Sequence, residues 1–187
     1  MAKKALILLA NGFEEIEAVA PIDLLRRADI DVSVASCENQ LSVIGRSNLT
    51  LQTDCLVSEL EEQMFDLLVL PGGPAVYELR KKPFILKIIQ HYNKKKKWIG
   101  AICAAPLLLM DAKILGQSDF TAHASVMNEL PQLNQQKDVV LDKNLITSSG
   151  AGAAVVFALA LVEVLTNSEN AKLIADSVHA PFQPICK

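Results

Sequence analysis

The sequence predicts an α/β protein built on a mainly parallel sheet with helices on both faces. Three observations carry this. Apolar runs of strand length recur along the chain, helical patterns separate them, and the chemically unusual residues fall just after the runs. Ligands of such sheets bind beyond the carboxyl ends of the strands. Residues 5–10 read as a buried strand and 14–28 as a helix with acidic residues in its first turn. Residues 32–35 form a second strand. Val43-Ile44 and residues 49–52 predict a short hairpin or edge segment. Residues 66–70 are a third central strand, closed by Pro71-Gly72-Gly73-Pro74. Residues 84–92 are an amphipathic helix, 98–102 a fourth strand and 104–110 a helix. Residues 120–122 read as a short strand ending at His123. Residues 139–141 and 145–147 are strands around an Asp142-Lys143-Asn144 turn. Residues 153–165 form a buried helix and 169–178 another. No repeat, low-complexity tract or composition break marks a linker, so residues 1–187 are read as a single domain.

The chain has 187 residues, enough to bury a substantial core, with 51% hydrophobic and 21% charged residues. A net charge of −3 and 5% aromatics give neither the basic footprint nor the stacking platforms of a nucleic-acid binder, so no sequence-specific nucleic-acid partner is expected. Lys94-Lys95-Lys96-Lys97 reads as a solvated helix C-terminus, where cations complement the dipole. The four cysteines, Cys37, Cys55, Cys103 and Cys186, form no C-x-x-C pair. The start resembles a signal peptide only briefly: its apolar core is short, and Asn11-Gly12-Phe13-Glu14-Glu15 replaces a cleavage site. The longest apolar stretch, residues 151–162, is too short to span a bilayer. A cytoplasmic protein without a membrane partner is expected.

Cys103 lies where strand 98–102 runs into an Ala-rich helix, the layout of a nucleophile turn. Such a bend requires small neighbours, here Ala101 and Ala105, where hydrolases of the G-x-S-x-G type carry glycines. A helix N-terminus beside the sulfur favours the thiolate. A free cysteine can equally be a small buried hydrophobe; the strand–Cys–helix placement favours a reactive thiol. Gly72-Gly73 is either a plain turn or, with the Ala104 N–H, an oxyanion hole formed by the Gly73 N–H. No Gly-Lys-Ser/Thr follows, so it is no P-loop.

Glu14 and Glu15 suit a helix N-terminus, whereas Glu17 shares its helix with apolar residues on nearly every side: Ile16, Val19, Ala20, Ile22, Leu24, Leu25 and Ala28. Such a helix is buried on both sides, one against the sheet and one against a partner subunit. Glu17 would then be partly desolvated, with a raised pKa, able to hydrogen-bond a thiolate or carry a proton. His123 is either structural or a partner of Cys103. Zinc ligation by Cys103, His123 and Glu17 lacks a tight ligand pair, so no metal is expected.

Together these motifs resemble the ThiJ/PfpI superfamily, in its DJ-one (Parkinson-disease protein deglycase) and YajL branch. The matching blocks are residues 5–10 with Gly12-x-Glu14-Glu15-x-Glu17, Pro21-x-Asp23-x-x-Arg26-Arg27, Asp66-x-x-Val69-Leu70-Pro71-Gly72-Gly73, Ala101-Ile102-Cys103-Ala104-Ala105-Pro106, and Thr147-Ser148-x-Gly150-x-Gly152. The resemblance covers nearly the whole chain and implies a flavodoxin-like three-layer sandwich forming a homodimer. It implies Cys103 as nucleophile, Glu17 as its protonated partner, Gly73 and Ala104 as anion-binding amides and His123 as a nearby acid or base. Arg27 and Arg46 would lie at the subunit interface, and Asp23 would help close the pocket; surface ion pairing is the alternative for all three. Two departures stand out. Ala104 replaces the histidine of the proteolytic branch. Gly150-Ala151-Gly152-Ala153 replaces the branch's Gly-Pro-Gly-Thr beside the site, so Ala151 and Ala153 alter a site-bordering loop.

The implied function is a glutathione-independent glyoxalase and protein or nucleotide deglycase. It would act on methylglyoxal, other small α-oxoaldehydes or their adducts without a cofactor. The alternative is a non-enzymatic redox sensor or chaperone working through oxidation of Cys103. An amidotransferase-like hydrolase would need a His-x-Glu pair, which His123-Ala124-Ser125 lacks. A thiazole-biosynthesis role finds no phosphate-binding motif.

Overall fold

A computed structural model describes residues 3–60 and 63–185. Cys186 and the first two residues of the leader-like start lie outside the described residues. The apolar runs form a sheet of seven strands: β1 (Lys4–Leu9), β2 (Asp31–Ser36), β5 (Cys55–Leu56), β6 (Leu67–Leu70), β7 (Trp98–Ile102), β8 (Val139–Asp142) and β9 (Leu145–Ser148), in the order β5-β2-β1-β6-β7-β9-β8. All neighbours are parallel except β8 and β9, an antiparallel pair at one edge. A separate antiparallel hairpin, β3 (Ser42–Ile44) with β4 (Thr50–Gln52), matches the expected edge segment.

Helices cover both faces, as the continuous apolar strands require. On one face α1 (Glu15–Arg27) packs against α5 (Ala154–Leu165), with α6 (Ser168–Ser177) beside α5. On the other lie α2 (Ala75–Leu79), α3 (Pro83–Lys94) and α4 (Pro106–Asp111). The core runs through both interfaces: β1, β6 and β7 are almost wholly buried, and α5 has Phe157, Leu161 and Val162 without exposed surface, Phe157 and Leu161 lying over Gly100 of β7. The protein is the expected three-layer sandwich.

The register fixes where the site must be. Leu70 pairs with Ala101 and Ile102 with Ser148, so β6, β7 and β9 end level with one another. The chain leaves β1 for β2 on one side and returns to β6 on the other, which makes the β1/β6 rim a topological switch point.

Two expectations change. Residues 120–122 are not a strand, because the Thr121 N–H is bonded to the Thr147 hydroxyl instead of a ladder carbonyl. The helix after Cys103 does not start at Ala104: residues 103–105 are a turn, and α4 begins at Pro106 and is only 6 residues long, fewer than two turns. The face of α1 expected to meet a partner subunit is uncovered in the single chain, with Ile16 55% and Val19 41% exposed. The short α2 and β5 were not foreseen.

Candidate active site

Cys103 stands at the exit of β7 with φ +65°, a left-handed conformation that a side chain adopts only under strain. Backbone hydrogen bonds hold it there from both sides. Its N–H donates to the Ser148 carbonyl at 2.9 Å, and its carbonyl accepts the His123 N–H at 2.9 Å. Ala101 and Ala105 are fully buried, which explains the need for small residues around the bend. The side chain of Cys103 is partly buried.

Glu17 reaches the same point from the first turn of α1. Glu14 caps this helix, its carboxylate accepting the Glu17 N–H at 2.9 Å. Although charged by type, Glu17 is fully buried. Its Oε2 accepts the Gly72 N–H at 2.8 Å. Its Oε1 is buried without a conventional hydrogen-bond partner among the described residues, and the Cys103 thiol is the side chain that interacts with the carboxyl. Burial pushes the Glu17 pKa up to about 7, and the charge of Glu14 adds to the rise. The interactions with Cys103 and the Gly72 N–H, and the charge of Arg46, limit it.

The thiol corrects a sequence expectation. Burial pushes the Cys103 pKa up to about 12, and ionised Glu17 acts in the same direction through its charge and hydrogen bond. The N–H groups of Ala104 and Gly73 pull it down without overcoming burial. The helix N-terminus was expected to favour the thiolate, but α4 is short and starts beyond the turn. A proton on Glu17 removes the part of this rise that comes from its charge, and the neutral carboxyl can donate its O–H to the sulfur.

The Pro71-Gly72-Gly73-Pro74 turn fits both partners. Gly73 has φ +89°, and a Cβ there would lie 2.5 Å from the Gly12 carbonyl oxygen. At Gly72 a Cβ would lie 2.6 Å from Glu17 Oε2 and 2.7 Å from the Cys103 Cβ. Gly72 is therefore a site residue whose role the sequence did not assign. Gly150 is another: a Cβ there would approach His123 at 3.3 Å, Glu17 at 3.9 Å and Cys103 at 4.0 Å. The available signal was its place just beyond the carboxyl end of a strand.

His123 is exposed and close to the pair. Its Nδ1 lies 2.8 Å from the Ser125 hydroxyl and accepts the Ser125 N–H at 3.2 Å. This assigns the neutral ring's proton to Nε2. Arg46, in the hairpin loop, is exposed; its N–H donates to the Phe13 carbonyl at 2.9 Å, and its charge acts on Glu17. The Arg27 Nε donates to Asp23 at 3.0 Å in an exposed i,i+4 pair on α1. Among the described residues no group of three or more His, Cys, Asp or Glu side chains is placed to hold a metal. No described helix is long and apolar enough to cross a membrane.

Residues 3–164 match the model of the DJ-1/PfpI family. The Arabidopsis thaliana protein DJ-1 homolog B is 38% identical over 84% of the chain, which spans only 37% of that longer protein. A Schizosaccharomyces pombe relative called glutathione-independent glyoxalase DJ-1 is 30% identical, covering 95% of the chain and 99% of the relative. Among solved structures, oxidized Toxoplasma gondii DJ-1 superposes with a TM-score of 0.92 at 32% identity, over 97% of this chain and 100% of that one.

Proposed function

The chain belongs to the DJ-1/PfpI family, and from that premise we propose that it is a cysteine-dependent, glutathione-independent glyoxalase and deglycase. Its substrates are small α-oxoaldehydes such as methylglyoxal, or their adducts on protein or nucleotide amines and thiols. One observation carries this reading. The fully buried Glu17 carboxyl, its pKa raised to about 7, faces the thiol of Cys103 on a strained turn that also aims two amides at the sulfur.

The Cys103 sulfur adds to the aldehyde carbon as the ionised fraction of Glu17 takes the thiol proton, forming a C–S bond and an oxyanion. Glu17 then passes that proton to the oxygen and is free to act again as a base. The Gly73 and Ala104 N–H groups stabilise that oxyanion. A base, Glu17 or His123, removes the proton from this carbon, and the enediolate formed is reprotonated on the neighbouring carbon. The result is a thioester. Water hydrolyses it, releasing lactate and the Cys103 thiol; the net reaction is methylglyoxal plus water giving lactate. From an adduct, the amine or thiol leaves the aldehyde carbon as Cys103 takes its place. A carboxyl with a pKa near 7 suits both halves of the proton transfer at neutral pH.

The working form in this proposal is a homodimer. The exposed Ile16 and Val19 on α1 supply the apolar contact, with Asp23, Arg27 and Arg46 around it. A second reading, a redox sensor or chaperone acting through Cys103 sulfinate, is favoured by the oxidized state of the Toxoplasma relative and by amides placed to receive sulfinate oxygens.

The test is lactate release from methylglyoxal without glutathione, by wild type, Cys103→Ser and Glu17→Gln. Loss in both folded variants supports the glyoxalase. Full activity in Cys103→Ser contradicts it. Negligible wild-type turnover, with selective gain of two oxygens at Cys103 under mild peroxide, favours the sensor.

A further inference from the structure

A cavity of about 480 Å³ opens beside the reactive pair, lined by Thr121, His123, Gln135, Asp138, Ser149 and the Gly150–Ala153 loop. It is continuous with the site, because His123 and Gly150 belong to both. The volume falls within the range of about 300–1,000 Å³ typical of ligand pockets and exceeds what a three-carbon oxoaldehyde fills. The wall is held back by small residues: a Cβ built on Gly152 would meet nothing within 4 Å.

The titratable groups of the lining are one carboxylate, Asp138, and one imidazole, His123. The Asp138 backbone carbonyl is occupied by the Ser149 N–H and the Ser148 hydroxyl. Asp138 is exposed, and its carboxylate makes no ion pair or side-chain hydrogen bond among the described residues. Gln135 adds a neutral amide, whose nitrogen contacts the Met127 sulfur at 2.8 Å. No lysine or arginine lines the cavity. We propose that this cavity is a substrate subsite that takes a cationic group, and that the preferred substrates carry an ammonium or guanidinium beyond the reacting carbonyl. An oxoaldehyde adduct on a lysine- or arginine-bearing peptide is of this class; a phosphate-bearing adduct is disfavoured. The inference rests on the proposed chemistry for its substrate class and on the cavity alone for its charge preference.

Two measurements test it. The first compares kcat/KM for arylglyoxals of matched shape bearing a para trimethylammonium, tert-butyl or carboxylate group. The cation is expected to exceed the neutral compound, and the neutral compound the anion, by about three- to five-fold each, the span of a partly exposed ion pair. Asp138→Asn removes the order, and Gln135→Lys, which leaves Asp138 in place, weakens or reverses it. The second needs no turnover. The rates at which cationic trimethylammonioethyl and anionic sulfonatoethyl methanethiosulfonates label Cys103 are read by peptide mass and normalised to a free thiol. The cationic reagent is favoured in wild type and loses its advantage in Asp138→Asn. Equal rates, an anionic preference, or a preference untouched by both substitutions overturns the subsite. Charge-selective labelling without lactate formation overturns the glyoxalase reading and leaves the subsite standing.

Discussion

Gly72 and Glu17 fit each other through an atom Gly72 lacks. The Gly72 N–H holds Glu17 Oε2 at 2.8 Å, and a Cβ on Gly72 would lie 2.6 Å from that same oxygen. The backbone at Gly72 has no positive φ, unlike its neighbour Gly73. The demand for glycine there comes from the site, whereas at Gly73 it comes from the turn as well.

Gly72→Ala is accordingly expected to damage activity more than folding. Overpacking costs about 1–3 kcal/mol of stability. Displacement of Glu17 or Cys103 lowers kcat/KM by about 100-fold or more, given the sensitivity of catalysis to misplacement of about 1 Å. Gly73→Ala also meets strain at φ +89° and loses more stability. Lactate assays beside thermal melts separate the two.

Cys103→Gly abolishes turnover and raises the melting temperature. The left-handed conformation at φ +65° costs an L-residue about 1–2 kcal/mol, which glycine avoids. In a chain of this size that corresponds to a few degrees, at about 2–4 °C per kcal/mol. A melting temperature that falls by several degrees would show that the sulfur's packing outweighs the strain.

Glu17 makes the protein less stable as pH rises. Its pKa is about 7 when folded against an ordinary 4.5, so between these values the folded state binds the extra proton. Stability is unpenalised below about pH 4.5, falls through the interval and is flat with respect to Glu17 above pH 7. The total is roughly 3 kcal/mol, at about 1.4 kcal/mol per pKa unit. Urea midpoints of wild type and Glu17→Gln between pH 4.5 and 8 should therefore diverge in favour of the variant as pH rises. Parallel curves would refute a buried, proton-binding Glu17.

Ile16→Glu or Val19→Glu is expected to convert a dimer to a folded monomer in sedimentation, since both side chains are exposed on α1 in the single chain. In contrast, Asp23→Ala removes an exposed i,i+4 pair and changes single-chain stability by about 0.5 kcal/mol or less. Monomeric wild type would remove the homodimer from the proposal.

Much of this site was readable because it is local in sequence. The run into Cys103 and the alanines flanking it announce the turn, and the first turn of α1 places Glu17 within a few residues of its cap. The strand ends bring these segments to one rim by topology alone. What was not readable depends on distant partners. Thr121 looked like part of a strand because its apolar neighbours suit one, yet its N–H is taken by the Thr147 side chain. The thiol's acidity could not be read from the helix that follows, since burial and Glu17 govern it. The roles of Gly72 and Gly150 emerge only once α1, β7 and the loop after β9 converge. The apolar spacing of Val76 and Leu79 in α2 was masked by the Pro-Gly turn before it.

The claim beneath all of this is that Glu17 holds a proton beside the sulfur of Cys103 near neutral pH. Isotope-edited infrared or carbon NMR titration of the Glu17 carboxyl, assigned by its loss in Glu17→Gln, measures this directly. A midpoint near 7 is the expected result. A carboxyl that titrates in the ordinary range of about 4–5 would contradict the account.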